Sequence, residues 1–175
     1  MSLPPPSRPS RSDAYPPPLY TGGSGEVSAT LRRDDSPPDL SYPNGGRVQY
    51  LSTCGSTGGL FGLYRWEFGP GVSGPDPHFH RSLTESFYIL DGEVEIHDGS
   101  GWVTTHPGDY VHVPAGGIHG FKHRAEGPAS MLLHFAPGAP REAYFEGLAR
   151  LAAGETMTDT ERDAFMQHHD NHWVE

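Results

Sequence analysis

Short strands at regular spacing are the feature that most limits what this chain can fold into. From Val48 onward, eight segments of strand length follow one another, each bounded by Gly, Pro, Asp or Asn: VQYL, LFGLYRWEF, ESFYIL, EVEIHD, WVTTH, YVHVP, HGFKH and ASMLLHF. Their spacing of roughly ten residues leaves no room for a helix between neighbouring strands. The sequence therefore predicts antiparallel pairing in a β-sandwich or jelly roll rather than a parallel βαβ sheet. The Asp-Gly pairs in LDGEV and HDGSGW are typical of hairpin turns.

The N-terminal part of the chain has a different composition. Nine of the eighteen prolines fall within residues 1–38, together with Ser, Arg, Gly and Asp, so this part can supply little core. We predict a flexible tail here. A polyproline II segment that binds another protein and an arm that packs across a dimer partner are alternatives.

The period changes to that of a helix near the C-terminus. Apolar residues recur at helical spacing across REAYFEGLARLAA, and Gly154 ends that run. A second helix is expected from Thr158, because Thr158 and Glu161 match the S/T-x-x-E capping box. These two helices are expected to cover the barrel or a subunit contact. The chain then divides into a Pro-rich flexible arm (residues 1–40), a barrel (41–137) and a C-terminal helical extension (138–175).

Charge and cysteine content restrict the partners and the compartment. The formal net charge is −10 at pH 7, and the twelve Lys and Arg residues form no continuous basic block, which argues against nucleic acid. Cys54 is the single cysteine, so an internal disulfide is excluded and a reducing compartment fits best. No segment resembles a signal peptide or the roughly 20 apolar residues of a membrane span. We expect a soluble, cytoplasmic protein that binds a small molecule, with no nucleic-acid or membrane partner.

Three candidate metal ligands lie close together in HFHRSLTESFYIL. His78 and His80 project from the same face about 7 Å apart, because side chains of an extended segment alternate. Glu85 begins the face that also carries Phe87 and Ile89, and a buried carboxylate requires a partner. A divalent metal would provide that partner.

The spacing of these residues resembles the two sequence motifs of the cupin superfamily. The first motif, G(X)5HXH(X)3–4E(X)6G, is matched by His78, His80, Glu85 and Gly92, and the second, G(X)5PXG(X)2H(X)3N, by Gly108, Pro114, Gly116 and His119. Two positions depart from the pattern. Val72 stands where the first motif has its leading glycine, and His123 replaces the closing Asn. Neither departure removes a ligand.

The resemblance is to small single-domain cupins of the quercetin-dioxygenase-like kind, and it implies the fold and the metal site. The fold is an all-β, antiparallel double-stranded β-helix, the jelly-roll barrel, here with two C-terminal helices and expected as a homodimer. In the family, the residues matching His78, His80, Glu85 and His119 hold one divalent transition metal. Imidazole and carboxylate ligands suit Fe, Ni, Cu, Mn or Zn. Glu85 either anchors the ion only or also acts as the catalytic base that deprotonates a substrate hydroxyl.

Aromatic side chains supply the candidate pocket. Tyr64 and Trp66 share one strand face, which makes them either core residues or walls that sandwich a planar ligand. The full set of possible pocket residues is Phe87, Phe121, His123, Tyr64 and Trp66. A solvent-exposed position is the alternative for His123. For the histidines of HHDNH, metal binding is an alternative to the favourable position of histidines at a helix end.

Three function hypotheses follow from the resemblance. The first is a metal-dependent oxygenase, a dioxygenase acting on a small phenolic or enolic compound. The second is a non-redox metal lyase, isomerase or polyketide cyclase that uses the ion as a Lewis acid only. The third is a small-molecule-binding cupin without catalysis. A DNA-binding regulator is disfavoured, because the rest of the sequence shows no helix-turn-helix pattern.

Overall fold

The computed structural model of the chain describes residues 15–124 and 126–174. The chain divides into two compact units between Leu31 and Arg32. Residues 15–31 contain neither helix nor strand, and the first fourteen residues of the predicted arm lie outside the described residues. All elements named below belong to the second unit. Among the described residues, no helix is both long enough and apolar enough to cross a lipid bilayer.

The second unit is built mainly from short strands. Its described residues contain eleven strands: β1 Leu40–Ser41, β2 Arg47–Ser52, β3 Gly62–Glu67, β4 His78–Phe79, β5 Thr84–Asp91, β6 Val94–His97, β7 Trp102–Thr105, β8 Tyr110–Val113, β9 Gly120–Lys122, β10 Ser130–Ala136 and β11 His172–Trp173. Each of the eight segments predicted from the sequence overlaps one of these strands. The prediction of an all-β chain of short strands is therefore confirmed.

The strands pair antiparallel throughout and form a jelly roll. Six of them make one sheet in the order β1-β2-β3-β10-β5-β8, three make a second in the order β7-β6-β9, and β11 pairs with β4. One apolar core contains side chains of both larger sheets. Phe87 of β5 and Phe121 of β9 meet there edge to face, with ring centroids 5.7 Å apart. Such contacts bury aromatic surface between the sheets and hold them together.

The two Asp-Gly pairs have different outcomes. HDGSGW is a hairpin as predicted, because β6 and β7 pair with His97 opposite Trp102 and the Asp98 amide donates to the Gly101 carbonyl at 3.0 Å. The hairpin predicted at LDGEV is wrong. β5 pairs with β10 and β8, whereas β6 pairs with β7 and β9, so Gly92 carries the chain from one sheet to the other. An Asp-Gly pair predicts a tight turn but not which strands it joins.

The two predicted helices are present and both pack on the barrel. The first, α1 (Arg141–Ala152), buries Phe145, whose ring lies edge to face with those of Tyr64 and Trp66 at 5.2 Å and 5.6 Å. The second, α2 (Asp159–His168), buries Met166 and begins with the predicted capping box. In that box the Glu161 amide donates to Thr158 Oγ1 at 3.2 Å, and the Thr158 amide donates to Glu161 Oε2 at 2.8 Å.

Gly92 and Gly108 form a matched pair that tests the crossing between the sheets. Both have left-handed backbone, with φ of 69° and 96°. A Cβ at Gly92 would overlap the Pro128 carbonyl oxygen, whereas a Cβ at Gly108 would meet nothing within 4 Å. We expect Gly108→Ala to lower the free energy of unfolding by about 1–2 kcal/mol and Gly92→Ala to lower it by about 2 kcal/mol more. Urea unfolding of the two variants measures the difference, and equal losses would contradict the close packing at Gly92.

Candidate metal centre

A reciprocal pair of backbone hydrogen bonds joins the two segments that carry the candidate ligands. The His78 amide donates to the His119 carbonyl at 2.8 Å, and the His119 amide donates to the His78 carbonyl at 2.8 Å. The Gly116 amide donates to the His80 carbonyl at 2.7 Å. These bonds place β4 beside the residues that precede β9. The left-handed turn at Gly116, with φ of 82°, lets the chain make this approach.

The four predicted ligands converge on one buried point. His78, His80 and His119 and the carboxylate of Glu85 each offer one ligand atom, and all of these atoms lie within 4.8 Å of one another. Each of the four side chains is at most 4% exposed. Glu85 Oε2 lies 2.9 Å from His80 Nε2 and 2.8 Å from His119 Nε2. Burial of the set removes the water that would otherwise solvate it.

The hydrogen bonds of Nδ1 in each candidate histidine determine whether Nε2 of the same ring carries a proton or a lone pair. Each Nδ1 lies next to a backbone carbonyl oxygen: His78 on Asp76 at 2.9 Å, His80 on Asp170 at 2.6 Å and His119 on Gly117 at 2.9 Å. A carbonyl oxygen can only accept, so each Nδ1 carries the proton. In a neutral ring, Nε2 then carries no proton and has a free lone pair. The lone pairs of His80 and His119 therefore face the lone pairs of Glu85, an arrangement that requires a cation or a proton between them.

Without a metal ion, protons supply the positive charge. Burial would raise the pKa of the Glu85 carboxyl, but the hydrogen bonds from His119 and His80 outweigh it and hold that pKa well below its usual range. Burial would lower the pKa of the His119 imidazole, but its hydrogen bond with Glu85 and the charge of that carboxylate raise it. Burial, reinforced by His119, lowers the pKa of His78 to about 3, so this ring is neutral at physiological pH. The donor set fits a divalent transition metal, which replaces the proton and binds the neutral ring as well.

The C-terminal segment holds the ligand His80 in place, a contact that the sequence did not predict. The Asp170 carbonyl accepts from His80 Nδ1, and Asp170 Oδ2 accepts from the Ser82 amide at 2.8 Å and from its hydroxyl at 2.6 Å. The Arg81 amide donates to the same carboxylate oxygen at 3.0 Å. Asp170 therefore fixes both the ring of His80 and the loop that leads to Glu85.

A cavity of about 570 Å³ adjoins the ligands. His78 and Glu85 line its inner end, and the exposed Asn44 and Trp173 also line it, so the cavity reaches the surface of the protein. Its walls are mainly apolar: Tyr42, Trp66, Phe121, Leu133, Phe135 and Phe145. This volume and lining suit a small, largely apolar molecule.

The predicted pocket residues separate into two groups. Trp66 and Phe121 line the cavity, whereas Tyr64 and Phe87 are fully buried core side chains that are not part of its lining. His123 is also buried outside the cavity, with Nδ1 3.0 Å from the Glu93 carbonyl oxygen and Nε2 2.8 Å from that of Gly127. The solvent-exposed alternative for His123 is therefore wrong.

The histidines of HHDNH join no metal-ligand group within residues 15–124 and 126–174. His168 ends α2 and His169 follows as its C-cap, in agreement with the helix-end interpretation. His172 lies in β11, where its ring stacks on Phe79 with centroids 5.2 Å apart.

Comparison with known proteins places the barrel among described folds. The Cupin domain family matches residues 64–135. A stretch of 45 residues is 36% identical to quercetin 2,3-dioxygenase of Bacillus subtilis (strain 168), covering 26% of this chain and 13% of that protein. A stretch of 90 residues is 33% identical to germin-like protein subfamily 2 member 2 of Arabidopsis thaliana, covering 46% of this chain and 39% of that protein. The chain thus spans well under half of the length of these curated relatives.

Solved structures share the fold at low sequence identity. KdgF from Halomonas sp. superposes with a TM-score of 0.56 at 16% identity, covering 66% of this chain and 99% of that one. A predicted oxalate decarboxylase from Thermotoga maritima gives 0.54 at 22% identity, covering 62% and 99%. The polyketide cyclase RemF from Streptomyces resistomycificus gives 0.53 at 20% identity, covering 65% and 82%.

Asp170 provides a test of how the C-terminal segment supports the ligands. Asp170→Ala removes the carboxylate that anchors Arg81 and Ser82, so we expect His80 and Glu85 to lose their fixed geometry. The affinity of chelator-treated protein for Co²⁺, measured by calorimetric titration, should fall by about 10- to 100-fold. Asp163→Ala, an exposed position in α2, is the control and should leave the affinity unchanged. Equal affinities of the Asp170 variant and the unchanged protein would contradict this role.

Proposed function

The strand-rich part of this chain is a cupin domain, and on that premise we propose that the protein is a metal-dependent dioxygenase that acts on a small phenolic or enolic compound. One observation carries the metal dependence. Three imidazoles with outward-facing protons and one carboxylate meet at a buried point that borders an apolar cavity. Stability does not explain a buried donor set of this composition, because an apolar cluster of similar volume is often as stable or more stable in the same place.

His78, His80, Glu85 and His119 are the residues that would hold the ion. Bound there, a divalent transition metal would act as a Lewis acid that lowers the pKa of a substrate hydroxyl and, if it changes oxidation state, would allow reaction with O2. The dioxygenase reaction takes both oxygen atoms from O2 and needs no external reductant. The chain's own residues supply the positions of the reactants and a proton acceptor.

Glu85 is the group in position to accept the substrate proton. Its Oε2 is held between His80 and His119, while Oε1 makes no hydrogen bond among the described residues and the side chain lines the cavity. A substrate hydroxyl that enters at the inner end of the cavity would meet this carboxylate. Glu85 would then be both a ligand and the base that forms the reactive anion.

The cavity walls would orient the substrate and exclude water. Trp66, Phe121 and Phe145 present aromatic faces and edges on the way to the ligands. A planar phenolic ring packs favourably against such walls. The 45-residue similarity to quercetin 2,3-dioxygenase supports this substrate class.

A non-redox reaction is the second candidate. A lyase, isomerase or polyketide cyclase would use the same four ligands and the same base, with the ion serving only as a Lewis acid. The apolar, aromatic lining of the cavity favours a polyketide-like compound among these substrates. The metal that the protein selects separates the two candidates, because Zn²⁺ cannot change oxidation state.

Elemental analysis and oxygen uptake test the proposal together. We expect protein expressed without added metal to contain about one equivalent of Fe, Ni, Cu or Mn per chain, and to consume O2 with members of a panel of flavonols and catechols. His119→Ala should lose both properties, and the exposed His106→Ala should keep both. One equivalent of zinc without oxygen uptake would favour the non-redox candidate, and protein that refuses every added metal would refute the site.

Glu85→Gln separates the two roles of that carboxylate. The amide keeps the shape but not the charge, so the affinity for metal should fall by at least about tenfold. At saturating metal, kcat should fall by a further factor of about 100 or more, because an amide cannot accept the proton. Glu146→Gln, an exposed position in α1, is the control. A variant with full kcat at saturating metal would show that Glu85 is a ligand only.

A further inference from the structure

A buried positive charge lines the cavity on the side of the helices. The Arg141 side chain is 4% exposed and lines the same cavity as His78 and Glu85. A guanidinium taken out of water is costly unless a carboxylate and several hydrogen bonds compensate its charge. What compensates Arg141 therefore bears on what the cavity binds.

The protein supplies only part of that compensation. Nη1 donates to the His169 carbonyl at 2.6 Å, and Nη2 donates to Asn171 Oδ1 at 3.2 Å. Two of the five N–H groups of an arginine thus have an acceptor, and Nε has none among the described residues. Among the described residues, no ion pair includes Arg141.

The position of Arg141 on its helix adds to the uncompensated positive charge. Arg141 is the first residue of α1, and Pro140 before it provides no side-chain cap. The N-terminus of a helix carries a partial positive charge, which disfavours a second positive charge there and favours an anion. Burial lowers the pKa of the Arg141 guanidinium, although the carboxylates of Glu85 and Asp170 act in the opposite direction. A negative group in the cavity would relieve both effects.

Aromatic rings fix the plane of the guanidinium. Arg141 Cζ lies 4.3 Å from the ring centroid of Tyr144 and 5.0 Å from that of Phe135. The Phe135 ring in turn lies edge to face with His80, at 6.4 Å between centroids. The same aromatic wall therefore supports a metal ligand and the cation. A planar fork of N–H groups held in one orientation matches the two oxygens of a carboxylate.

We propose that the substrate carries a carboxylate that pairs with Arg141 while its apolar body fills the cavity beside the four ligands. This inference rests on the proposed function, which assigns the chemistry to those ligands, and it adds the substrate class. The substrate is an aromatic acid whose phenolic or enolic hydroxyl points towards Glu85 and whose carboxylate lies at the helix α1. Arg141 is the residue that selects the acid over neutral compounds of the same shape.

Matched acids and amides test this selection without a metal. Benzoate, phenylacetate, cinnamate and 2-naphthoate are each titrated calorimetrically at pH 8 into chelator-treated protein, alongside the corresponding primary amide. An amide has nearly the shape of its acid but no charge. We expect the best acid of the panel to bind at least about tenfold more tightly than its amide, because hydrogen bonds to a charged pair are stronger than those between neutral groups.

Variants on the same helix assign the preference to one residue. Arg141→Met should bring the acid and amide affinities to within about twofold of each other, and Arg141→Lys should keep part of the preference, because it retains the charge but not the planar fork. Arg150→Met is the control, since Arg150 is exposed in the last turn of α1 and pairs with Glu155. Circular dichroism and thermal unfolding report whether each variant is folded. If Arg141→Met does not fold, the unchanged protein and Arg141→Lys decide the question.

Two results would overturn the inference: equal affinities within every acid and amide pair, or a preference for acids that persists in folded Arg141→Met. Failure of every acid in the panel to bind would overturn it as well. Because these titrations use metal-free protein, their failure is distinguishable from failure of the proposed function. If the protein binds metal and consumes O2 but does not prefer acids, this inference is wrong and the proposed function stands.

Discussion

The rest of this protein depends on one constraint: two imidazole nitrogens and one carboxylate oxygen lie in contact inside the barrel. Glu85 Oε2 lies within 2.9 Å of both His80 Nε2 and His119 Nε2, and backbone carbonyls hold the opposite nitrogen of each ring. Acceptors at this distance repel one another unless a cation joins them. The fold keeps them there, because reciprocal backbone hydrogen bonds between His78 and His119 lock the two ligand segments together.

Residues that follow the barrel in the chain support one candidate ligand and line part of the cavity. Asp170 fixes the ring of His80 and the loop before Glu85, while α1 delivers Arg141 to the cavity wall. Both contributions come from residues that follow the family motifs in the chain. The four candidate ligands thus lie on the barrel, whereas a residue that supports them and a residue that lines the cavity come from the extension. This division fits a fold that carries different reactions on one scaffold.

The sequence predicted the features that depend on local spacing. The eight strands follow from alternating segments between turn residues, and the capping box at Thr158 marks the start of α2. The four clustered ligands could be proposed because the spacing of His78, His80, Glu85 and His119 matches the two cupin motifs. The strand partners of β5 could not be predicted from the sequence, because pairing within a sheet joins residues that are far apart in the chain. For the same reason nothing in the sequence indicated that Arg141 or Asp170 would reach the cavity and the ligands, and His123 could not be separated from the pocket.

Anomalous diffraction from crystals of protein expressed without added metal is the most direct test of the central claim. The account predicts one anomalous peak that lies about 2.0–2.2 Å from Nε2 of the three histidines and from the Glu85 carboxylate, with an absorption edge that identifies the element. Side chains that point away from one another, or the four groups packed together with no anomalous signal after soaking in transition-metal salts, would contradict it.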